Sequence, residues 1–250
     1  ATRGESIMTF IWDSECEKVS AILAVAKGST LGAGRQEILS KSLVLMTKEG
    51  VTKKVAAKSF HDVRASGIIS IKLSAGDRLV SVGLIDKGDD ISLVTKQGQS
   101  IRFKESAVRE MGRAAGGVRA IKLSKGDEVI GAHVIKNSWK DAHLLVISAN
   151  GYGKRTELSE YKVQGRGGSG ILTSKVTDKT GKVIGSQVVN GAEPHFAEGS
   201  DGAREVIAIS KKSQVVRVDL KEIPILGRQT QGVRIMKLRE GDSIASLICL

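Results

Sequence analysis

Runs of alternating apolar and polar residues, each broken by a short turn, recur along the chain. The first is LVLMTKEGVTKKV at 43–55, and its counterparts lie at 91–103, 144–156 and 206–218. In each, four or five mostly apolar residues precede the turn, and a second run carrying basic residues follows it. A period of two residues around a short turn is typical of a β-hairpin. The pattern therefore predicts four hairpins at corresponding places.

A second kind of block follows each predicted hairpin. It again alternates with period two and is broken by a Gly-Asp or Thr-Gly turn, at 66–82, 116–132, 167–186 and 231–247. Each unit is therefore predicted to supply four strands. The blocks share one glycine at the same place, at spacings of 50, 53 and 62 residues: Gly67, Gly117, Gly170 and Gly232. The chain thus has a period of about fifty residues.

Four-stranded units of this length, repeated around a ring, are typical of a propeller, and a solenoid is the alternative. We predict one all-β domain over 1–250, with repeats at about 31–87, 88–137, 138–192 and 193–250. Residues 1–30 resemble the second half of a further unit, with Gly4 at the shared glycine. The chain is therefore expected to begin within a repeat and to be a piece of a longer protein.

Composition agrees with many short β elements, since glycine is abundant at 29 residues and aromatic residues make up only 3%. No apolar run approaches the length of a membrane span, so a soluble cytoplasmic protein without membrane contact is expected. The only cysteines, Cys16 and Cys249, lie at opposite ends without metal-ligand spacing. The four histidines are scattered, and Tyr152 and Tyr161 are interpreted as packing or surface residues. No catalytic residue and no metal site are predicted.

The net charge of +12 is concentrated in one half of each repeat. Four windows contain 25 basic and 8 acidic residues, whereas the rest of the chain contains 14 and 19: 43–73, 91–123, 144–176 and 206–238. Lysines and arginines can simply protect strand edges from aggregation. The same bias in four units favours instead a basic band that binds a long polyanion, and duplex DNA has such a charge pattern.

The predicted contact with DNA is to its backbone. Few aromatic residues are available to stack on unpaired bases, and no helix long enough to read a major groove is predicted. Sequence preference would then come from the deformability of the duplex.

Glycine-rich loops precede the shared glycines, and each contains an arginine. The richest loop, QGRGGSG at 164–170, lies between the second and third predicted strands of its unit. The arginines of the four loops are Arg64, Arg113, Arg166 and Arg228. Glycine lets backbone N–H groups approach an anion, and a guanidinium can grip a phosphate with two N–H groups. The loops are predicted to clamp phosphates, although the glycines can also serve only a tight crossover.

These segments resemble the C-terminal domain of the DNA gyrase A subunit over essentially the whole chain. The resemblance rests on QGRGGSG, ANGYGKRTELSEY, QSIRFKESAVREMGRAAGGVRAIKL and LGRQTQGVRIMKL. It implies a β-pinwheel, a propeller-like disc whose four-stranded blades exchange strands with their neighbours. The family's box reads QRRGGKG, so Gly165 replaces an arginine and Ser169 a lysine in what looks like an accessory copy of that box.

We predict a DNA-binding set from the loops, the outer hairpin strands and the blocks after them. It comprises Gln164, Gly165, Arg166, Gly167, Gly168, Ser169, Gly170, Lys53, Lys54, Lys58, Arg64, Arg102, Lys104, Arg113, Arg119, Lys154, Arg155, Arg217, Lys221, Arg228 and Arg234.

The resemblance further implies that the domain wraps double-stranded DNA, so that the parent enzyme's ATP-dependent strand passage introduces negative supercoils. The partners implied are the rest of the gyrase A subunit and the gyrase B subunit, in an A2B2 complex. The domain itself would need no cofactor, because ATP and Mg²⁺ are used by other parts of that enzyme. The alternatives are the corresponding domain of topoisomerase IV, a propeller that binds an acidic protein and, least favoured, an independent enzyme.

Overall fold

The computed structural model describes residues 19–23, 40–60, 67–190 and 205–250. The described residues form β-strands and short 3-10 turns. The strands are β1 (Ser42–Thr47), β2 (Val51–Ala56), β3 (Leu79–Ile85), β4 (Asp90–Thr95), β5 (Gln99–Lys104), β6 (Val118–Arg119), β7 (Val129–Ile135), β8 (Ala142–Ser148), β9 (Tyr152–Glu157), β10 (Ile171–Leu172), β11 (Val183–Asn190), β12 (Glu205–Ser210), β13 (Val215–Asp219), β14 (Val233–Arg234) and β15 (Ile244–Cys249). The 3-10 turns are η1 (Ala57–Phe60), η2 (Glu105–Ala107), η3 (Leu158–Glu160) and η4 (Leu220–Glu222).

The strands form four antiparallel sheets, or blades. Their strand orders are β3-β1-β2-β6 in the first blade, β10-β5-β4-β7 in the second, β11-β8-β9-β14 in the third and β13-β12-β15 in the fourth. The four hairpins predicted from the sequence are β1-β2, β4-β5, β8-β9 and β12-β13. Within the described residues the fourth blade has three strands, and 67–70 forms no strand, so the four strands expected of every unit are not all found there.

Neighbouring blades exchange strands. The two-residue strand β6 belongs to the second repeat but pairs with β2 of the first, and β10 and β14 likewise pair with β5 and β9 of the preceding repeats. The chain then returns, and β7, β11 and β15 pair with the first strand of their own unit. The prediction of an all-β pinwheel with strand exchange is confirmed.

The apolar core lies between consecutive blades. One cluster joins Val44 and Met46 of β1 to Ile91 and Leu93 of β4, and two further clusters join the second blade to the third and the third to the fourth. All six residues of β4 are buried, because the first blade covers one face and the third blade the other. In β12 buried residues alternate with partly buried ones. The position of a strand among the blades thus decides whether burial alternates along it with a period of two residues.

The edge strands β3, β7, β11 and β15 pack against one another from blade to blade and form the hub. There the His133 imidazole lies 2.9 Å from the Ser186 hydroxyl of the next blade. Burial lowers the pKa of His133 to about 4, so the ring is neutral at pH 7. The hub therefore takes no positive charge from this histidine.

The Gly-Asp turns predicted from the repeat fasten the hairpins. The Asp77 carboxylate accepts a hydrogen bond from the N–H of Glu49 at 2.9 Å, and Asp127 does the same for Gln97. Asp242 repeats the contact with Lys212 in the fourth unit. Each aspartate satisfies backbone donors of a tight turn, which otherwise have no partner in the strand ladder.

The shared glycines mark the strand exchange. Gly117, Gly170 and Gly232 have φ of +88°, +76° and +81°, a left-handed conformation that side chains disfavour. A Cβ on Gly170 would also lie 2.5 Å from the carbonyl oxygen of Ser100 in the neighbouring blade. The crossover interpretation therefore holds for these glycines.

Replacement of Gly170 by alanine tests this close approach, with Gly67 as the matched control. Gly67 has φ of +73°, but among the described residues no atom lies within 4 Å of a Cβ built on it. Both variants incur the left-handed penalty of about 1 kcal/mol, and only Gly170→Ala adds a backbone clash of about 1 to 3 kcal/mol. Urea unfolding should rank Gly170→Ala well below Gly67→Ala, and equal losses would contradict the proposed close packing.

Candidate nucleic-acid interface

The outer edge of the blades carries the predicted loops. Because the hub strands lie at one edge of each sheet, the exchanged strands β6, β10 and β14 lie at the opposite, outer edge. The segments that lead into them are called here the arginine loops: 111–117, 164–170 and 226–232. Arg64 and the loop around it lie outside the described residues, as does the insertion at 191–203.

Each arginine loop crosses the outer hairpin strand of the preceding unit. The backbone N–H of Met111, at the start of the first loop, donates to the carbonyl of Lys54 at 2.8 Å. Gln164 and Leu226 make the same bond, also at 2.8 Å, to Arg102 and Arg155. The loop positions are therefore set by the neighbouring repeat.

The three arginines differ in how free their side chains are. Arg113 is exposed, and no hydrogen bond or ion pair of its side chain is seen in the described part of the chain. Arg166 is also exposed, but its guanidinium donates to the carbonyls of Ala107 and Arg119 at 2.9 and 3.2 Å. Arg228 donates to the carbonyl of Leu172 at 3.0 Å and its side chain is 24% exposed. Arg113 is thus the most available to a ligand.

The remaining members of QGRGGSG lie on the surface of the third unit. Gly165, Gly168 and Ser169 are exposed, whereas Gln164, Gly167 and Gly170 are partly buried. The N–H of Gly167 donates inward to the carbonyl of Ala120 at 2.6 Å.

Two lysines of the predicted DNA-binding set do not reach the surface. Lys53 is 0% exposed and Lys154 is 1% exposed. The ammonium of Lys53 donates to the carbonyls of Ser70 and Arg113, and burial lowers its pKa. The prediction that these two side chains contact DNA directly is wrong, because each lies beneath an arginine loop.

A second group of predicted cations fastens one blade to the next. Lys54 lies 2.5 Å from the carboxylate of Glu105 in η2. Arg102 pairs with Asp90 at 2.7 Å and donates to the carbonyl of Leu158 in η3 at 2.9 Å. Both cations therefore have their partners within the protein.

The same place on the outer strand holds Arg155 and Arg217 in the other two units. Arg155 donates to the carbonyl of Ile223 at 2.8 Å, beside η4, and burial lowers its pKa. Arg217 is exposed and pairs with Glu205 of its own sheet, which raises the pKa of Arg217. Arg217 therefore remains accessible in spite of its partner.

The other predicted cations are exposed: Lys58, Lys104, Arg119, Lys221 and Arg234. Lys104 pairs with Asp90 at 2.8 Å. Arg119 and Arg234 occupy the second position of the exchanged strands β6 and β14. The guanidinium of Arg234 lies 5.7 Å from the ring centre of Tyr152 and donates to its hydroxyl at 3.2 Å. Tyr152 is thus a packing residue beneath a rim cation.

Four lysines on the same edge were missed in the sequence-based set. They lie at the same place after the shared glycine in every unit, and all are exposed: Lys72, Lys122, Lys175 and Lys237. The N–H groups of Lys72, Lys122 and Lys175 donate to carbonyls of the next arginine loop, at Ala115, Gly168 and Thr230. The signal that could have found them is their recurrence in the pattern IKL, IKL, SKV and MKL.

Metal ligands and membrane spans can be assessed only for the described residues. They contain no group of three or more His, Cys, Asp and Glu side chains arranged to hold a metal ion. No helix in that part of the structure has the length and apolarity needed to cross a membrane.

Comparison with known proteins agrees with the geometry. A family model described as DNA gyrase C-terminal domain, beta-propeller, matches residues 41–86, 89–136, 142–190 and 204–250. The DNA gyrase A subunit of Mycolicibacterium smegmatis is 39% identical over 207 residues, which are 82% of this chain and 23% of that protein. The DNA gyrase A subunit of Salmonella typhimurium is 33% identical over 245 residues, 98% of this chain and 25% of that protein.

Two solved structures share the fold. The C-terminal domain of DNA gyrase A superposes with a TM-score of 0.77 at 24% identity, covering 99% of this chain and 75% of that one. The C-terminal domain of DNA topoisomerase IV superposes with a TM-score of 0.81 at 22% identity, covering 99% and 70%.

Exchanged strands and a cationic outer edge place the molecule among the β-pinwheel proteins. Within that class, the chain belongs to the DNA gyrase C-terminal domain family. It spans about a quarter of the length of the curated relatives it matches.

Replacement of Arg102 by methionine tests the assignment of paired cations to blade cohesion. The variant loses the hydrogen bond to the Leu158 carbonyl of the next repeat and leaves the buried Asp90 carboxylate with Lys104 as its ion-pair partner, so the free energy of unfolding should fall by about 2 kcal/mol. Arg119→Met removes the same charge from an exposed position and should change stability by less than about 0.5 kcal/mol. Urea unfolding of both variants checks this, and similar losses would contradict the distinction.

Proposed function

We propose that this chain binds duplex DNA along its outer edge and bends the duplex around the blades. The observation that carries the proposal is the cationic set at each junction between repeats, where an exposed lysine of one unit adjoins the arginine loop of the next. Positive groups at regular intervals match the phosphate backbone. Bending a site of 20 to 30 base pairs costs several kcal/mol, and only many such contacts can offset that cost.

The family and the relatives support a place in DNA gyrase. In that setting the chain wraps DNA for the remainder of the gyrase A subunit and for the gyrase B subunit, so that ATP-dependent strand passage introduces negative supercoils. It is itself non-catalytic, it works in the cytoplasm, and ATP and Mg²⁺ act at other parts of the complex.

The DNA proposal is tested by removal of the four recurrent lysines. A variant with Lys72, Lys122, Lys175 and Lys237 replaced by glutamine should bind random duplex DNA much more weakly. If each lysine neutralises one phosphate, the slope of log K against log salt should fall by about 3 to 4. Fluorescence anisotropy between about 50 and 200 mM salt measures both quantities.

The matched control removes four exposed lysines that lie outside the arginine loops and the exchanged strands instead: Lys87, Lys125, Lys140 and Lys182. This control variant has the same net charge as the first variant. It should keep the affinity of the unmodified chain for duplex DNA, and its salt slope should differ by no more than about one phosphate contact. Equal losses in the two variants would show that net charge alone attracts DNA. No binding of the unmodified chain at low salt would favour a protein-binding propeller with an acidic partner.

The placement in gyrase is tested in the parent enzyme. Deletion of residues 1–250 should abolish negative supercoiling while relaxation of supercoiled DNA persists, because strand passage itself does not need wrapped DNA. Agarose gel electrophoresis of plasmid topoisomers checks this. Retention of supercoiling after the deletion would contradict the proposed role in gyrase. A parent enzyme that does not supercoil DNA even with the domain would favour topoisomerase IV.

A further inference from the structure

Two buried lysines lie at the same place in two alternate repeats. Lys53 and Lys154 are the third residues of β2 and β9, the outer strands that receive the exchanged strands β6 and β14. The ammonium of Lys154 donates to the carbonyls of Gly227 and Arg228, each at 2.6 Å, and to the Thr230 hydroxyl at 3.1 Å. All three of its N–H donors are thus used beneath the loop at 226–232.

The sheet itself does not require a lysine at this place. The corresponding residue is Ile101 in β5, fully buried beneath the loop at 164–170, and Val216 in β13. Burying an ammonium costs free energy that an isoleucine does not incur. The two lysines therefore serve the loops above them.

The loops over lysine and the loop over isoleucine turn one peptide group in different directions. Over lysine, the carbonyls of Arg113 and Arg228 point down to the ammonium. In a trans peptide the next N–H points the opposite way, so the N–H groups of Ala114 and Gln229 face outward. Neither of these two N–H groups has an acceptor among the described residues.

Over isoleucine, the equivalent N–H is that of Gly167, and it points inward to the carbonyl of Ala120. Gly167 has φ of +81°, a conformation that glycine adopts readily and Ala114 and Gln229 do not adopt here. Glycine thus permits one loop form, and the buried lysine holds the other.

The outward form creates a place for an anion. Gln229 lines a surface cleft of about 390 Å³ together with Tyr152, Lys175 and Lys179. Ala114 lies next to the exposed Arg113. An outward backbone N–H beside cationic side chains is a favourable arrangement for a phosphate oxygen.

We propose that Lys53 and Lys154 are positioning residues that hold the peptide groups at 113–114 and 228–229 outward and thereby form two phosphate sites of backbone N–H and adjacent cations. The inference rests on the proposed DNA binding and adds which junctions hold a backbone phosphate contact. The junction over Ile101 lacks this contact, because its corresponding N–H, that of Gly167, points inward.

This role requires the protonated ammonium of Lys154. Its protonation can be changed within the pH range of a binding experiment. Burial lowers the pKa of Lys154 to about 8, whereas the facing carboxylate of Glu160 raises it and the Arg228 guanidinium lowers it. A neutral amine has only two N–H donors for three acceptors, so the loop loses a contact as the pH rises through 8.

The first experiment compares Lys154→Ile with Lys125→Ile, which removes the same charge from an exposed turn. Lys154→Ile should bind duplex DNA about five- to tenfold more weakly at constant salt, with a salt slope smaller by about 0.9. Lys125→Ile should bind as the unmodified chain does. Equal affinity of the unmodified chain and Lys154→Ile would overturn the proposal.

The second experiment uses the pH and a direct view of the peptide. Between pH 7 and 9 the affinity of the unmodified chain for duplex DNA should fall. This fall should exceed the fall for Lys154→Ile by a factor of about three. In NMR spectra of the unmodified chain, the backbone N–H of Gln229 should exchange rapidly with solvent, and its resonance should shift on addition of duplex DNA. The backbone N–H of Gly167 should be protected from exchange. A protected Gln229 amide would overturn the outward orientation.

A third variant covers the case in which Lys154→Ile does not fold. It combines Lys154→Ile with QGRGGSG in place of residues 226–232, which reproduces the pairing of loop and isoleucine found at Ile101. It should be as stable as the unmodified chain but lack the fall in affinity that Lys154 causes between pH 7 and 9. Full retention of that fall would contradict the role of Lys154. No DNA binding by the unmodified chain would instead refute the proposed function.

Discussion

The exchange of a two-residue strand between neighbouring repeats is the interaction on which the rest of the structure depends. β6, β10 and β14 each complete the blade of the preceding unit. They can do so only because a glycine with positive φ precedes each of them and lets the backbones meet. The exchange places the arginine loop of one unit across the outer strand of another and so builds every junction of the outer edge from two repeats.

The lysines and arginines at these junctions have three different roles. Lys53 and Lys154 are buried under loops, Lys54 and Arg102 bond to residues of the next repeat, and the lysines after the exchanged strands stay in solvent. What separates them is desolvation, because a buried cation must be bonded within the protein whereas an exposed one keeps its charge available. The number of basic residues in the sequence therefore overstates the number of cations that an external partner can contact.

The acidic residues are distributed so that they do not cancel the outer edge. Asp77, Asp127 and Asp242 bind backbone N–H groups of the hairpin turns, and Asp90 and Glu105 hold paired cations. At the hub, contact between strands leaves His133 neutral. The unpaired positive charge is thereby left on the loops around the exchanged strands, where a polyanion can reach it.

The period of about fifty residues, the hairpins, the Gly-Asp turns and the basic half of each repeat could all be read from the sequence, because each is a local pattern of side-chain type and turn chemistry. The shared glycines also pointed to the crossover, since a left-handed conformation is a local requirement. The individual roles of the cations could not be read in this way. Lys53 and the exposed Lys122 look alike as letters, and only packing of one repeat against the next decides which of them is desolvated. The direction of the peptide after Arg228 was likewise set by a lysine more than seventy residues away in sequence, which tertiary structure alone brings into contact.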